Sequence, residues 1–131
     1  MVKEQRTRQA SAADAKRFAG KANEYRRAMV LVHKGGLWDA AVSNGVHALI
    51  LMANALAAKE SGEYFVGRDH SMAPTYLLRT LGPDAKTATQ QMRLVLSLKS
   101  AAEYDRRSCT GKESSDVVKR AERFFTWAEA R

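Results

Sequence analysis

The sequence predicts an all-α protein, an antiparallel four-helix up-and-down bundle with one extra short helix. Apolar residues recur at helical spacing along almost all of the 131 residues. No alternating run of β-branched residues indicates a strand. Glycine-containing turns separate the helical segments, so the connections are short and the helices are expected to bury their apolar stripes against one another. A chain of this length builds one hydrophobic core, and we expect a single domain over 1–131 with a flexible segment at 1–10.

The first helix is predicted from Ser11 to Lys34. Ser11 and Asp14 form a Ser-x-x-Asp pattern, which is typical of a helix start. One apolar stripe follows, and it consists of Phe18, Ala22, Tyr25, Met29 and Val32. The Gly35-Gly36 pair ends the helix, because glycine adopts the C-terminal cap conformation without steric cost.

The second helix is predicted from Trp38 to Glu60 and is apolar on nearly every side. Such a helix is typical of the centre of a bundle or of a subunit interface. Its polar residues fall in one narrow stripe, which consists of Ser43, Asn44, His47 and Asn54. They interrupt the longest apolar stretch, 42–58, and we therefore expect no membrane span.

A short helix is predicted at 72–81, after a loop at 61–71. Ser71 is placed to cap this helix, and Gly82-Pro83 ends it.

The fourth long helix is predicted from Asp84 to Ser108. Glu103 and Arg107 are spaced for a favourable i,i+4 ion pair on it. Its core side consists of Met92, Val95, Leu96 and Leu98.

The last helix is predicted to begin between Thr110 and Ser115, where Thr110-x-x-Glu113 is a capping-box pattern. Its apolar stripe consists of Val117, Ala121, Phe124 and Ala128.

The chain is basic, with a net charge of +8 and a pI near 9.9. The excess is uneven: residues 1–27 carry eight basic and three acidic side chains, whereas 35–65 carry one basic and three acidic. This charge favours attraction to nucleic acid or to an acidic partner, and it is equally typical of a solvated basic face.

Several classes of protein are excluded or disfavoured. A single cysteine, Cys109, excludes an internal disulfide and a multi-cysteine zinc site. Three histidines lie in three different elements, so we expect no metal site and no cofactor. The N-terminal residues have no apolar core typical of a secretory signal, and we expect a cytoplasmic protein.

No strong catalytic motif is present, neither a phosphate-cradling glycine loop nor His-Glu-x-x-His nor Gly-x-Ser-x-Gly. RNA cleavage without a metal needs a base and a neighbouring cation. Arg27 and His33 are of these types but lie on different faces of the first helix. His47 is either a core histidine or a catalyst. His70, with two charged neighbours in its loop, belongs either to a site or to a helix-capping network.

The order of several motifs, spanning about 25–125, resembles the HEPN family (higher eukaryotes and prokaryotes nucleotide-binding domain). These motifs are Lys34-Gly-Gly-Leu-Trp-Asp-Ala-Ala-Val-Ser43, Ala48 to Leu56, His70-Ser71, Lys99-x-x-Ala-Glu-Tyr104-Asp105 and Ala121-Glu-Arg-Phe124. The resemblance implies a helical bundle that forms a homodimer and binds RNA or a nucleotide. It also implies a minimal nucleotidyltransferase as a partner in a toxin–antitoxin pair.

The chain is degenerate at the family's ribonuclease motif, because its late helix lacks the histidine that follows an arginine in active members. The resemblance therefore implies a binding module rather than an enzyme. Candidate ligand-binding residues are Lys99, Glu103, Tyr104 and Arg107, and His47 and His70 are the catalytic candidates. Lys99 and Arg107 would contact phosphate, Glu103 would orient Lys99, and Tyr104 would stack or donate a hydrogen bond.

Two other hypotheses stay open. One is a metal-independent ribonuclease toxin that uses a histidine in an unfamiliar position. The other is a purely structural bundle that assembles with itself or with one protein partner, which would have a large apolar interface and no convergent polar cleft.

Overall fold

A computed structural model describes residues 6–131 of the protein; the rest of the predicted flexible segment, 1–5, lies outside the described residues. The described chain is mostly helical, as predicted, with one small sheet. Its elements are β1 (Thr7–Gln9), α1 (Ala12–Lys34), α2 (Trp38–Ser61), β2 (Glu63–Phe65), α3 (Ala73–Leu81), α4 (Lys86–Leu96), α5 (Lys99–Glu103) and α6 (Gly111–Glu129).

Two capping boxes begin α1 and α6 where the sequence predicts them. The Ser11 hydroxyl accepts from the Asp14 backbone N–H at 3.1 Å, and the Asp14 carboxylate accepts from the Ser11 N–H at 2.9 Å. Thr110 and Glu113 make the same reciprocal pair at 3.1 and 2.9 Å. Each pair satisfies two backbone donors that a helix start otherwise leaves without a partner.

Helix α2 is the centre of the described fold, because it contacts α1, α3, α4, α5 and α6. The short turn after α1 makes α1 and α2 an antiparallel hairpin, and Met29 of α1 lies beside Gly45 of α2. The length and composition of α2 match those of a membrane-spanning helix, but 61% of its most apolar window is buried inside the protein. A buried core helix has the same composition as a membrane span, so this match alone does not distinguish them.

The prediction of one long helix over 84–108 is wrong. Helix α4 ends at Leu96, and the Ser97 hydroxyl donates to the Leu94 carbonyl at 2.6 Å. Side-chain bonds of this kind compete with the helical backbone pattern and favour a break. Residues 97–98 form a turn, the short α5 extends only to Glu103, and residues 104–110 form a loop.

The absence of strands was also predicted wrongly, because β1 and β2 pair in an antiparallel sheet. Thr7 lies opposite Phe65, and Gln9 lies opposite Glu63. The Phe65 ring contacts the ring of Tyr76 in α3, with centroids 5.7 Å apart. The sheet therefore fixes residues 7–9, within the segment expected to be flexible, against the start of the loop that leads to α3.

Candidate functional site

A cleft of about 460 Å³ lies between the loop before α3, the start of α3 and the α4–α5 turn. Three cationic side chains from three different places in the sequence line it, and with one histidine they define what we name the basic cleft: Arg68, His70, Arg93 and Lys99. Asp69 also lines the cleft, but its carboxylate accepts from the Ser71 backbone N–H at 3.0 Å and from the Ser71 hydroxyl at 2.6 Å. The cleft thus has excess positive charge, which suits an anionic ligand.

His70 and Lys99 lie next to each other in the basic cleft. The Lys99 Nζ lies 3.4 Å from the His70 Nδ1. An ammonium group can only donate, so this contact is a hydrogen bond when Nδ1 carries no proton. Burial lowers the pKa of His70, and the positive charge of Lys99 lowers it further. At neutral pH the cleft therefore presents a neutral imidazole beside an ammonium group.

We expect the pKa of His70 to lie below 6.5 in the folded protein and to rise when Lys99 is replaced by glutamine. The rise follows because Lys99→Gln removes a nearby positive charge that opposes protonation. NMR titration of the imidazole resonances measures both values. Lys119→Gln, which changes an exposed lysine on α6, is the matched control and should leave the His70 pKa unchanged. A His70 pKa that does not move in Lys99→Gln would contradict this account.

A second group, which we name the polar cluster, consists of Ser43, His47 and Glu103. The Ser43 hydroxyl donates to the Glu103 Oε2 at 3.0 Å, and the His47 Nε2 lies 3.6 Å from the same oxygen. Ser43 and His47 are one turn apart on α2, so both reach the one carboxylate on α5. The polar stripe of α2 therefore faces α5 here, whereas the Asn44 amide donates to the Ala40 carbonyl of its own helix at 2.7 Å.

The structure places Lys99, Glu103 and Tyr104 together, but not in the predicted relation. The Glu103 carboxylate accepts from Ser43 of α2, while Lys99 lies against His70. No direct contact therefore supports the prediction that Glu103 orients Lys99. Tyr104 is 76% exposed, and its ring centroid lies 6.0 Å from the Lys99 Nζ. A free aromatic face beside a cation is a suitable stacking surface for a base.

The predicted i,i+4 ion pair between Glu103 and Arg107 is wrong. Because the helix ends at Glu103, Arg107 lies in the loop and cannot form the i,i+4 pair with Glu103. It instead makes two bonds of 2.8 Å to the Glu113 carboxylate at the start of α6. This pairing lowers the pKa of Glu113 to about 2. Arg107 is thus engaged at a helix cap, and it does not line the basic cleft.

The remaining histidine and the cysteine have structural surroundings. The His33 Nδ1 lies 2.7 Å from the hydroxyl of the buried Ser114, and its ring contacts Trp38. Arg27 lies on the outer face of α1, so the two do not form a base–cation pair. Cys109 is buried, and burial raises the pKa of its thiol to about 11. Within residues 6–131 no three His, Cys, Asp or Glu side chains are grouped to hold a metal ion.

No protein-family model, curated protein or solved structure matches the chain. The HEPN resemblance therefore remains an expectation from the quoted motifs.

Sequence reasoning missed Arg68 and Arg93 as residues that line the cleft. Arg68 precedes Asp69 and His70 in the loop at 61–71, where the sequence shows a cluster of charged residues. Arg93 gave no signal, because an isolated arginine on an amphipathic helix is typical of a solvated face. Arg93 and Lys99, which lie on either side of the break after Leu96, line the same cleft.

Proposed function

We propose that this protein is a non-catalytic binding module of the HEPN type that holds the phosphate groups of RNA or of a nucleotide in the basic cleft. The observation that carries the proposal is the convergence of Arg68, Arg93 and Lys99 on one concave surface. Arginine and lysine are the common donors to phosphate oxygens. Tyr104, exposed beside Lys99, would stack on a base next to the bound phosphate.

The proposal includes the architecture and the assembly that the resemblance implies. We propose that α1, α2, the α4–α5 pair and α6 are arranged as a four-helix up-and-down bundle, with α3 as the extra short helix. The α1–α2 hairpin and the contacts of α6 with α2 and α4 support this arrangement. A homodimer and a minimal nucleotidyltransferase partner belong to the same proposal, and a nucleotidyltransferase gene beside this one would support the second.

We expect the protein to bind a fluorescently labelled single-stranded RNA with an affinity that falls steeply as salt is added. Each phosphate contact with a single strand contributes a slope of about 0.7 to the logarithmic dependence of affinity on salt, so three contacts predict about 2. Fluorescence anisotropy over a series of salt concentrations measures this slope. Absence of binding at low salt, or binding that salt does not weaken, would overturn the proposal.

Ribonuclease activity is the second candidate, and one observation favours it. The neutral His70 ring lies beside the Lys99 ammonium group, and these are the base and the cation that RNA cleavage without a metal requires. Expression of the wild type and of the His33→Ala, His47→Ala and His70→Ala variants in a bacterial host tests it. Toxicity that is lost only in a stable His70→Ala variant would support an enzyme, and a harmless wild type that leaves RNA intact would support the binding module.

A further inference from the structure

The outer face of α1 carries a groove that the fold itself does not use. The groove has a volume of about 580 Å³, and all of its lining residues belong to α1: Gly20, Asn23, Glu24, Arg27, Ala28 and Leu31. Leu31 is 72% exposed, the most exposed aliphatic side chain among the large apolar residues of 6–131. A single exposed leucine is normal on a protein surface, so the significance of Leu31 depends on the residues beside it in the groove.

Gly20 gives this groove its depth. A Cβ atom built on Gly20 meets nothing within 4 Å, and its backbone does not have a positive φ. Neither the packing nor the backbone of this chain requires glycine there, although glycine is a poor helix former. The space over Gly20 is therefore free for a side chain that comes from outside.

The residues along the groove lie on one face of α1 and are arranged so that they complement an antiparallel copy of themselves. Gly20, Glu24, Arg27 and Leu31 follow one another at intervals of four, three and four residues, which places them in one row along the helix. When two copies of α1 cross antiparallel about a twofold axis, Gly20 faces Leu31 of the second copy. In the same register Glu24 faces Arg27 of the second copy, and each contact occurs twice.

The charges on this face select the antiparallel arrangement. Neither Glu24 nor Arg27 forms an ion pair with any residue of 6–131, so both are free to pair between copies. A parallel pairing would place Arg27 against Arg27 and Glu24 against Glu24, which is repulsive. At the outer ends Arg17 would face Lys34 of the second copy, but Arg17 is already paired with Asp14 at 2.9 Å.

We infer that the outer face of α1 is an interface with a second copy of this chain, with Leu31 of each copy seated over Gly20 of the other and with two reciprocal Glu24–Arg27 pairs. The inference deepens the homodimer part of the proposed function by naming its face. It does not depend on the basic cleft, which is formed by other elements.

Charge reversal and restoration test the interface. Sedimentation equilibrium of the wild type should show a concentration-dependent dimer. Glu24→Arg and Arg27→Glu each create two like-charge contacts, so each should raise the dissociation constant about tenfold or more. The double variant restores opposite charges in exchanged positions and should return the constant to within about threefold of the wild type. A monomeric wild type, or a dimer that both single variants leave unchanged, would overturn the inference.

Two further measurements fix the register. Leu31→Glu should weaken the dimer, whereas Leu94→Glu, at an exposed leucine on α4, should not. A mixture of Gly20→Cys and Leu31→Cys proteins should form disulfide-linked dimers under oxidation more readily than either protein alone, and the buried Cys109 should not compete. Equal cross-linking in the separate proteins would overturn the antiparallel register. RNA binding is measured separately, so failure of the dimer and failure of the basic cleft give different results.

Discussion

Gly45→Val is expected to lower the free energy of unfolding by about 3 kcal/mol, the upper range for overpacking a core. A Cβ atom at this position would lie 2.6 Å from the Val117 Cγ1 and 3.1 Å from the Met29 Sδ. Both neighbours are fully buried, and the β-branched Val117 has little rotamer freedom with which to move away. Glycine is thus required at the point where α1 and α6 both press against α2.

Gly20→Val is the matched control, since it makes the same change in a helix where a Cβ meets open space. It should change the free energy of unfolding by less than about 0.5 kcal/mol, because valine is no worse than glycine as a helix former. Urea unfolding followed by circular dichroism at dilute protein concentration measures both variants. Equal destabilisation at the two positions would mean that α1, α2 and α6 do not meet at Gly45.

Removal of the cationic side chains from the basic cleft is expected to abolish most RNA binding. Alanine at Arg68, Arg93 and Lys99 together should lower the affinity for single-stranded RNA by at least about a hundredfold at low salt. The salt slope should fall by about 2 at the same time, because about 0.7 is lost for each phosphate contact. The variant should remain folded, since Arg68 and Arg93 are exposed.

The control for this variant removes the same number and type of charges elsewhere. Arg106, Lys119 and Arg123 are exposed and do not line the cleft, so their replacement by alanine lowers the net charge equally. Fluorescence anisotropy should show a small loss of affinity from the lower overall charge alone. Similar losses in the two triple variants would mean that RNA responds to net charge and that the cleft is not a site.

The sequence correctly predicted the helices whose first or last residue is set by a capping residue or a glycine nearby in the sequence. The capping boxes at Ser11 and Thr110 fix the starts of α1 and α6, and Gly35-Gly36 separates α1 from α2. The fourth helix was predicted wrongly because apolar residues continue at helical spacing past Ser97. The break is marked only by the hydrogen bond from the Ser97 hydroxyl to the Leu94 carbonyl. The strands were missed because three residues are too few to show an alternating pattern.

The candidate site was predictable only in part, for a similar reason. Lys99 and His70 came from motifs, and the structure places them 3.4 Å apart. The misplacement of Arg107 follows directly from the wrong length of the fourth helix. Arg93 lines the same cleft as Arg68 and His70 from a distant part of the sequence, and no local pattern encodes that proximity.

The pairing of Thr7–Gln9 with Glu63–Phe65 has a practical consequence for anyone who shortens or tags this protein. Residues 7–9 look dispensable because they precede the first helix. Their strand nevertheless pairs with β2 and so holds the segment that continues to Arg68 and His70. We expect a truncation before Ala10, or a bulky fusion attached there, to loosen one wall of the basic cleft while leaving the helices folded. Loss of affinity in such a protein would then result from the loss of the β1–β2 pairing and not from a change in the side chains of the cleft.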